Sequence, residues 1–292
     1  MANLKEIRTR LSSVKSTRQI TSAMKMVAAA KLRKAQDRIV RLRPYASKLN
    51  EILQGLNLTM ENNEEEHSYG RISDPNKVLL IVITSNRGLC GAFNANVLRE
   101  TQRIINEKYA GQKENGSLWL MTVGKKGAAH FGKRGYQILE DHSSIFDDLT
   151  FENVAVIAEK LMNSFLTGEF DRIEFVYNQF RNAATQDLIN EIFLPVEPDD
   201  DKENTSSGDI IWEPSQEEII KELIPKILKL QFYKAILDSY VAEHGARMTA
   251  MHMATDNATE LIRDLTLEYN KARQASITNE ILEVVSGAEA LR

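Results

Sequence analysis

Small and apolar side chains recur at alternating steps of four and three along the first sixty residues. Positions 28, 32, 35, 39, 42, 46, 49, 53 and 56 hold Ala, Leu, Ala, Ile, Leu, Ala, Leu, Leu and Leu. That rhythm is the narrow seam of a coiled coil. Leu4, Ile7, Leu11 and Val14 keep it upstream, but its continuation lands on Arg18, Thr21 and Lys25, where the seam is predicted to fail. No glycine occurs before Gly55, and Pro44 is the one proline of the stretch and a candidate kink. At about 1.5 Å per residue the predicted helix is roughly 80 Å long.

A second segment of the same kind closes the chain. From Glu217 to Leu291 only Pro225, Gly245 and Gly287 interrupt helical composition. Positions 237, 241, 244, 248, 251, 255, 258, 262, 265, 269 and 272 repeat the four-and-three spacing. The register slips after Ala272 and resumes at Ile277, Ile281, Val284 or Val285, Ala288 and Leu291. As one helix this segment spans on the order of 110 Å. Each stripe is too narrow for a globular core and must be covered by something. The economical cover is the other helix, in an antiparallel pair.

Between them, about 70–212, the pattern changes. KVLLIVITS (77–85) is a continuous apolar, β-branched run, as expected of a strand buried on both faces. Segments 118–123, 172–180 and 187–196 read as further strands, with helices at about 92–112, 125–134 and 151–168. Strand–helix alternation predicts a mostly parallel sheet. The fold class is therefore α/β plus all-α: a long antiparallel coiled coil of N- and C-terminal helices with an inserted Rossmann-like α/β domain. Its segments are 1–58, 70–212 and 215–292, and residues 197–209 form an acidic, turn-rich surface loop.

Composition sharpens this. The 292 residues are 42% hydrophobic and 27% charged, the balance of a folded protein rather than a disordered one. No run is apolar for long enough to span a bilayer, and MANLKEIRTR lacks a signal-peptide core. The expectation is a mature, soluble protein on the cytoplasmic side. A lone cysteine, Cys90, excludes an internal disulfide and a cysteine-based metal cluster. Net charge is −4, yet residues 1–48 carry thirteen Lys or Arg against Glu6 and Asp37 alone. That arm is +11, which leaves −15 for the rest. A basic arm for nucleic acid and a rod for an acidic protein cavity both fit such asymmetry.

Catalytic signals are weak. TSNRGLCGAFN (84–94) is a glycine-containing turn after a strand, where an α/β domain places a phosphate loop. It has neither GxGxxG nor GxxxxGK[ST], so a structural tight turn is the favoured reading over a nucleotide site. Cys90 has no histidine near it in sequence and reads as a small residue rather than a nucleophile. The five histidines lack ligand spacing, with His244 and His252 two turns apart. No cofactor or metal is expected. Where the register slips, Arg273, Gln274 and Thr278 share one helical neighbourhood and offer donors on a surface not committed to the partner helix. A binding surface is predicted there and around Arg18–Lys25.

LKEIRTRLSSVKSTRQITSAMKMVAAAKLRKAQ and ARMTAMHMATDNATELIRDLTLEYNKARQASITNEILEVVSGAEAL resemble the terminal helices of the gamma subunit family of F-type ATP synthases. ITSNRGLCGAFN resembles that family's first strand and turn. The resemblance implies a non-catalytic central rotor stalk, one copy per complex. Its partners would be the alpha and beta subunits of a hexamer, an epsilon subunit and a membrane ring of c subunits. It implies no nucleic acid partner and no membrane insertion. It assigns Met24, Lys25, Arg87, Cys90, Arg247, Arg273, Gln274 and Thr278 to contacts with the hexamer, and Trp212 and Glu213 to epsilon and the c-ring. The paired regulatory cysteines of chloroplast relatives are missing. With no transit peptide apparent, the expected site is the cytoplasmic face of a bacterial inner membrane.

Overall fold

The computed structural model describes residues 4–60, 69–71, 74–196 and 216–289. The chain divides into two compact units, one of Met1–Ala29 with Arg247–Arg292 and the other of Ala30–Ala246. Helix α1 spans Leu4–Met60 and helix α6 spans Gln216–Glu289, and they continue through Pro44 and Pro225 respectively. Between them lie β1 (Val78–Ile83), α2 (Phe93–Glu107), α3 (Ala110–Glu114), β2 (Leu118–Val123) and α4 (Lys125–Gly132). Then come β3 (Ile138–Asp141), a 3-10 turn at Ser143–Phe146, α5 (Phe151–Leu166), β4 (Arg172–Phe180) and β5 (Gln186–Leu194).

In the larger unit the strands form one sheet in the order β3-β2-β1-β4-β5. The first four are parallel, and β5 folds back antiparallel to β4. β1 is buried at all six positions, which is why its sequence is an unbroken apolar run. Strand β3 escapes the sequence pattern. It is a four-residue edge strand with three exposed positions, so no apolar run marks it. The helix expected over 92–112 stops at Glu107, and Tyr109 leaves helical geometry with its ring buried and its hydroxyl donating to Glu174. A long-range bond there overrides a helix-forming sequence.

Helix α6 differs most from a narrow stripe. Between Ile227 and Gly245 it is buried on most sides. Ile227 and Leu230 cluster with Ala46 and Leu49 of α1. Phe232 stacks on Phe175 of β4 at 5.4 Å and lies 6.0 Å from Phe193 of β5. Tyr240 stacks on Phe146, and Lys229 pairs with Glu159. Gly245 admits the β4–β5 turn so closely that a Cβ there would sit 3.3 Å from Cα of Ala183. This stretch is a core helix, and burying it joins the coiled coil to the sheet.

In the smaller unit Thr21 of α1 meets Thr255 of α6, and in the larger unit Ala46 and Leu49 of α1 cluster with Ile227 and Leu230 of α6. The fold is the long antiparallel coiled coil with an inserted Rossmann-like domain that the sequence predicts. Among the described residues no helix is long and apolar enough to cross a membrane.

Candidate partner interface

The smaller unit is a helix pair with one unequal end. On α1 the buried positions are Ile7, Thr21 and Ala28; on α6 they include Met251, Ala258 and Leu265. Both sets fall at multiples of seven, the repeat that keeps one seam facing a partner helix. The predicted failure at Thr21 does not open the pair. Thr21 is 9% exposed, its hydroxyl lies 2.9 Å from that of Thr255, and it reaches the Arg18 carbonyl at 3.1 Å. A polar pair at a seam position satisfies itself across the interface. The flanking Arg18 is exposed, and Lys25 is half-buried.

Past Ala272 the situation reverses. Every residue from Arg273 to Ala288 is exposed. Five of them are large and apolar: Ile277, Ile281, Leu282, Val284 (73% exposed) and Val285. On α1, Ile20, Met26 and Val27 are exposed as well. A helix that leaves such a run in water is incomplete without a surrounding surface.

The residues assigned from the sequence fall in different settings. Met24 and Lys25 are half-buried on α1, while Arg273, Gln274 and Thr278 are exposed on α6, with the Thr278 hydroxyl donating to the Gln274 carbonyl at 2.9 Å. Arg247 belongs to the same unit but is only 7% exposed. Trp212 and Glu213 lie outside the described residues.

Arg87 and Cys90 lie in the other unit, on the turn that follows β1. In the strand order β3-β2-β1-β4-β5, β1 and β4 flank the point where connections diverge, the place where open α/β sheets receive ligands at their carboxyl ends. Here the turn's polar groups point inward. Asn94 accepts from the Ser85 backbone N–H at 2.9 Å, and its amide donates to the Cys90 thiol sulfur at 3.2 Å. Ser85 donates to the Arg87 carbonyl at 2.6 Å. Asn86 ties in the loops after β2 and β3, accepting from Lys125 N at 3.1 Å and donating to the Ser143 carbonyl at 2.8 Å. Cys90 is 2% exposed and anchors the turn, whereas Arg87 is exposed. No sequence pattern marks Leu89, which is 66% exposed with φ 63°.

A buried charge fixes the opposite end of this sheet. Glu174 on β4 is fully buried and accepts from Lys108 (2.6 Å), Tyr109 (2.5 Å), Arg172 (2.7 Å) and Asn190 (3.1 Å). Burial pushes its carboxyl pKa up, but the Lys108, Tyr109 and Arg172 donors outweigh that and hold it below the ordinary carboxylate value. Among the described residues no group of three or more His, Cys, Asp or Glu is placed to hold a metal.

This architecture has known counterparts. The family model described as ATP synthase matches residues 3–291. The ATP synthase gamma chain of Flavobacterium johnsoniae is 58% identical over 100% of this chain and 99% of its own length. That of Flavobacterium psychrophilum is 56% identical over the whole of both. Among solved structures, a chain of the Tetrahymena thermophila mitochondrial ATP synthase central stalk/c-ring is 25% identical with a TM-score of 0.59, over 80% of this chain and 99% of that one. Matched by the family model over residues 3–291 and by these gamma chains from end to end at more than half identity, the chain belongs to the ATP synthase gamma chain family.

Proposed function

We infer that this chain is the central rotor stalk of an F-type ATP synthase, coupling rotation of a membrane c-ring to the catalytic cycle of an alpha–beta hexamer. The observation that carries this reading, beside the family, is the unequal helix pair. Residues 273–288 expose a run of large apolar side chains that a protein collar would cover. A lone asymmetric pair inside such a collar touches each catalytic site differently. Because a contact shifts an equilibrium only by its differential free energy between two states, turning the pair drives the sites through their conformations in sequence.

In this reading the chain is non-catalytic and ATP is made on the beta subunits. Segments 1–58 and 215–292 are the shaft, and 70–212 is the domain that meets epsilon and the c-ring, with Trp212 and Glu213 near that contact. Met24, Lys25, Arg273, Gln274 and Thr278 face the hexamer along the shaft, Arg247 meets it only by the 7% of its surface left exposed, and Arg87 and Cys90 contribute from the turn after β1. The complex sits peripherally on the cytoplasmic face of a bacterial inner membrane, with one copy of this chain.

The direct test is ATP hydrolysis by purified alpha and beta subunits with and without the chain. Stimulation saturating near one chain per three alpha–beta pairs is expected, and no complex with no stimulation would sink the reading. A contact test follows from burial. Arg247 is buried, so reversing its charge would disturb the subunit's own packing. Arg273 and Gln274 are exposed, so Arg273→Glu with Gln274→Glu should leave the free subunit's melting temperature within a degree or two of the parent, since surface changes usually fall within about 0.5 kcal/mol. The same variant should lose most of the stimulation; parental stimulation would remove these two residues from the interface.

A further inference from the structure

We propose that a cavity at the amino end of the sheet binds a phosphate ester, its phosphate held by Lys113 and Arg134 and its organic part by Tyr136 and Leu118. The cavity measures about 410 Å³, within the range of small-molecule sites. It opens where the chain enters β2 at Leu118 and where it enters β3 just after Tyr136 and Gln137. Strands β1, β2 and β3 are parallel, so this is the opposite end of the sheet from the turn that carries Leu89. All of its walls belong to the larger unit, and the site does not depend on the rotor reading.

Two loops of the same form build it. Each follows a helix and turns on a glycine in left-handed geometry, Gly116 at φ 71° after α3 and Gly135 at φ 74° after α4. Backbone bonds close both helix ends. Ser117 N–H donates to the Gln112 carbonyl at 2.8 Å, and Tyr136 N–H donates to the Phe131 carbonyl at 3.3 Å. Such turns satisfy carbonyls at a helix end from the backbone itself. A cation stands at each end all the same, Lys113 in the last turn of α3 and Arg134 just past the end of α4.

Charge and shape select the ligand. No carboxylate lines the cavity. Among the described residues neither Lys113 nor Arg134 pairs with an acid. The Lys113 ammonium lies 5.2 Å from the centre of the Tyr136 ring. Arg134 Nη1 donates to Nδ1 of His130 at 3.0 Å and to its carbonyl at 3.3 Å. Burial and the neighbouring guanidinium hold the His130 pKa below its ordinary value, so the ring is neutral and accepts that bond. The bond fixes one nitrogen of a guanidinium that has further donors to offer. A planar fork and a point charge, both without a counter-ion, suit a phosphate group. The Tyr136 ring and Leu118 add apolar surface that a bare phosphate ion would leave unused. A lipid head group and a soluble phosphate ester share this chemistry.

The test is calorimetry on the full chain with glycerol 3-phosphate, sodium sulfate, and vesicles of phosphatidylglycerol or phosphatidylcholine. Glycerol 3-phosphate should bind with a millimolar Kd or better, and more tightly than sulfate, which has the charge but no organic part. Lys113→Gln should weaken it roughly tenfold, the effect of one charge-assisted hydrogen bond. Arg134→Lys should weaken it as well, because the fork is lost. Lys133→Gln removes an exposed charge outside the cavity and should change nothing. Lys113 is exposed too, so both glutamine variants should melt near the parental temperature. Phosphatidylglycerol vesicles that bind the parent and are displaced by glycerol 3-phosphate identify a lipid head group as the ligand. Vesicles that do not bind, or are not displaced, identify a soluble ester. No binding of glycerol 3-phosphate, equal binding of sulfate, or equal losses in Lys113→Gln and Lys133→Gln would overturn the site.

Discussion

Gly124→Ala should destabilise the chain by about 4 kcal/mol, a very large effect for one methyl group. β2 ends at Val123, and the backbone then passes through Gly124 at φ 124° and ψ 131°, a conformation that side chains rarely adopt. A Cβ there would stand 2.2 Å from the carbonyl oxygen of Thr84 and 2.6 Å from its carbonyl carbon. That backbone cannot step aside cheaply. Thr84 N–H donates to the Val123 carbonyl at 2.9 Å, the Thr84 hydroxyl donates to the Gly124 carbonyl at 3.1 Å, and Gly127 N–H donates to that hydroxyl at 2.9 Å. Relief would part β1 from β2 at their carboxyl ends, beside the turn that carries Leu89. Urea unfolding of the purified subunit reads the effect. Gly127→Ala is the control: its Cβ would stand 3.0 Å from the Thr84 hydroxyl and at ordinary contact distance from the Cγ2 atoms of Thr84 and Thr122, and helix propensity offsets part of the contact, so it should shift stability by no more than about 1 kcal/mol. Equal effects at the two positions would refute the clash.

Glu174→Ala should cost about 3–5 kcal/mol, because removing one partner of a buried ionic cluster strands the others. Tyr109 is 1% exposed and Arg172 has only 18% of its side chain exposed, so neither can recover its lost acceptor from water, whereas Lys108, 43% exposed, largely can. Glu174→Gln keeps an acceptor oxygen but not the charge and should cost less than Ala. The pH dependence has a definite sign. The folded carboxyl titrates below its ordinary value of 4.5, so the unfolded chain binds the proton more readily. The stabilisation is complete above that value and is lost as pH falls through the folded pKa. Melting curves of parent and Glu174→Ala should therefore differ by a constant amount near neutrality and converge in acid. A gap that stays constant into acid would assign the cost to packing rather than to the carboxylate's charge.

Both effects lie at places where remote segments meet, and neither is legible in the sequence. RIEFVYNQF reads as a strand, but nothing in it says that its glutamate is fully buried; that follows from Lys108 and Tyr109 arriving from the end of α2. The helix predicted over 125–134 says nothing of a need for glycine just before it; that need comes from Thr84, forty residues earlier. Thr21 looked like a break in the seam because a single helix shows only its own half of a pair, and the hydroxyl that completes it belongs to Thr255. The stretch 227–245 looked like half of a two-helix stripe because heptad spacing records one neighbour, while the sheet supplies the second.

What the sequence determined by itself was periodic and local: two long heptad helices, the buried parallel strands, the basic arm, and the loss of register after Ala272. Each is set by side chains a few residues apart, which backbone geometry places on one face. Only the tertiary structure decided where α2 ends, that β3 exists, that Glu174 is buried and tied, and that Leu89 points outward while Cys90 points in. Those outcomes depend on which distant groups satisfy a given donor or fill a given space, and the spacing of residues along one segment carries no record of them.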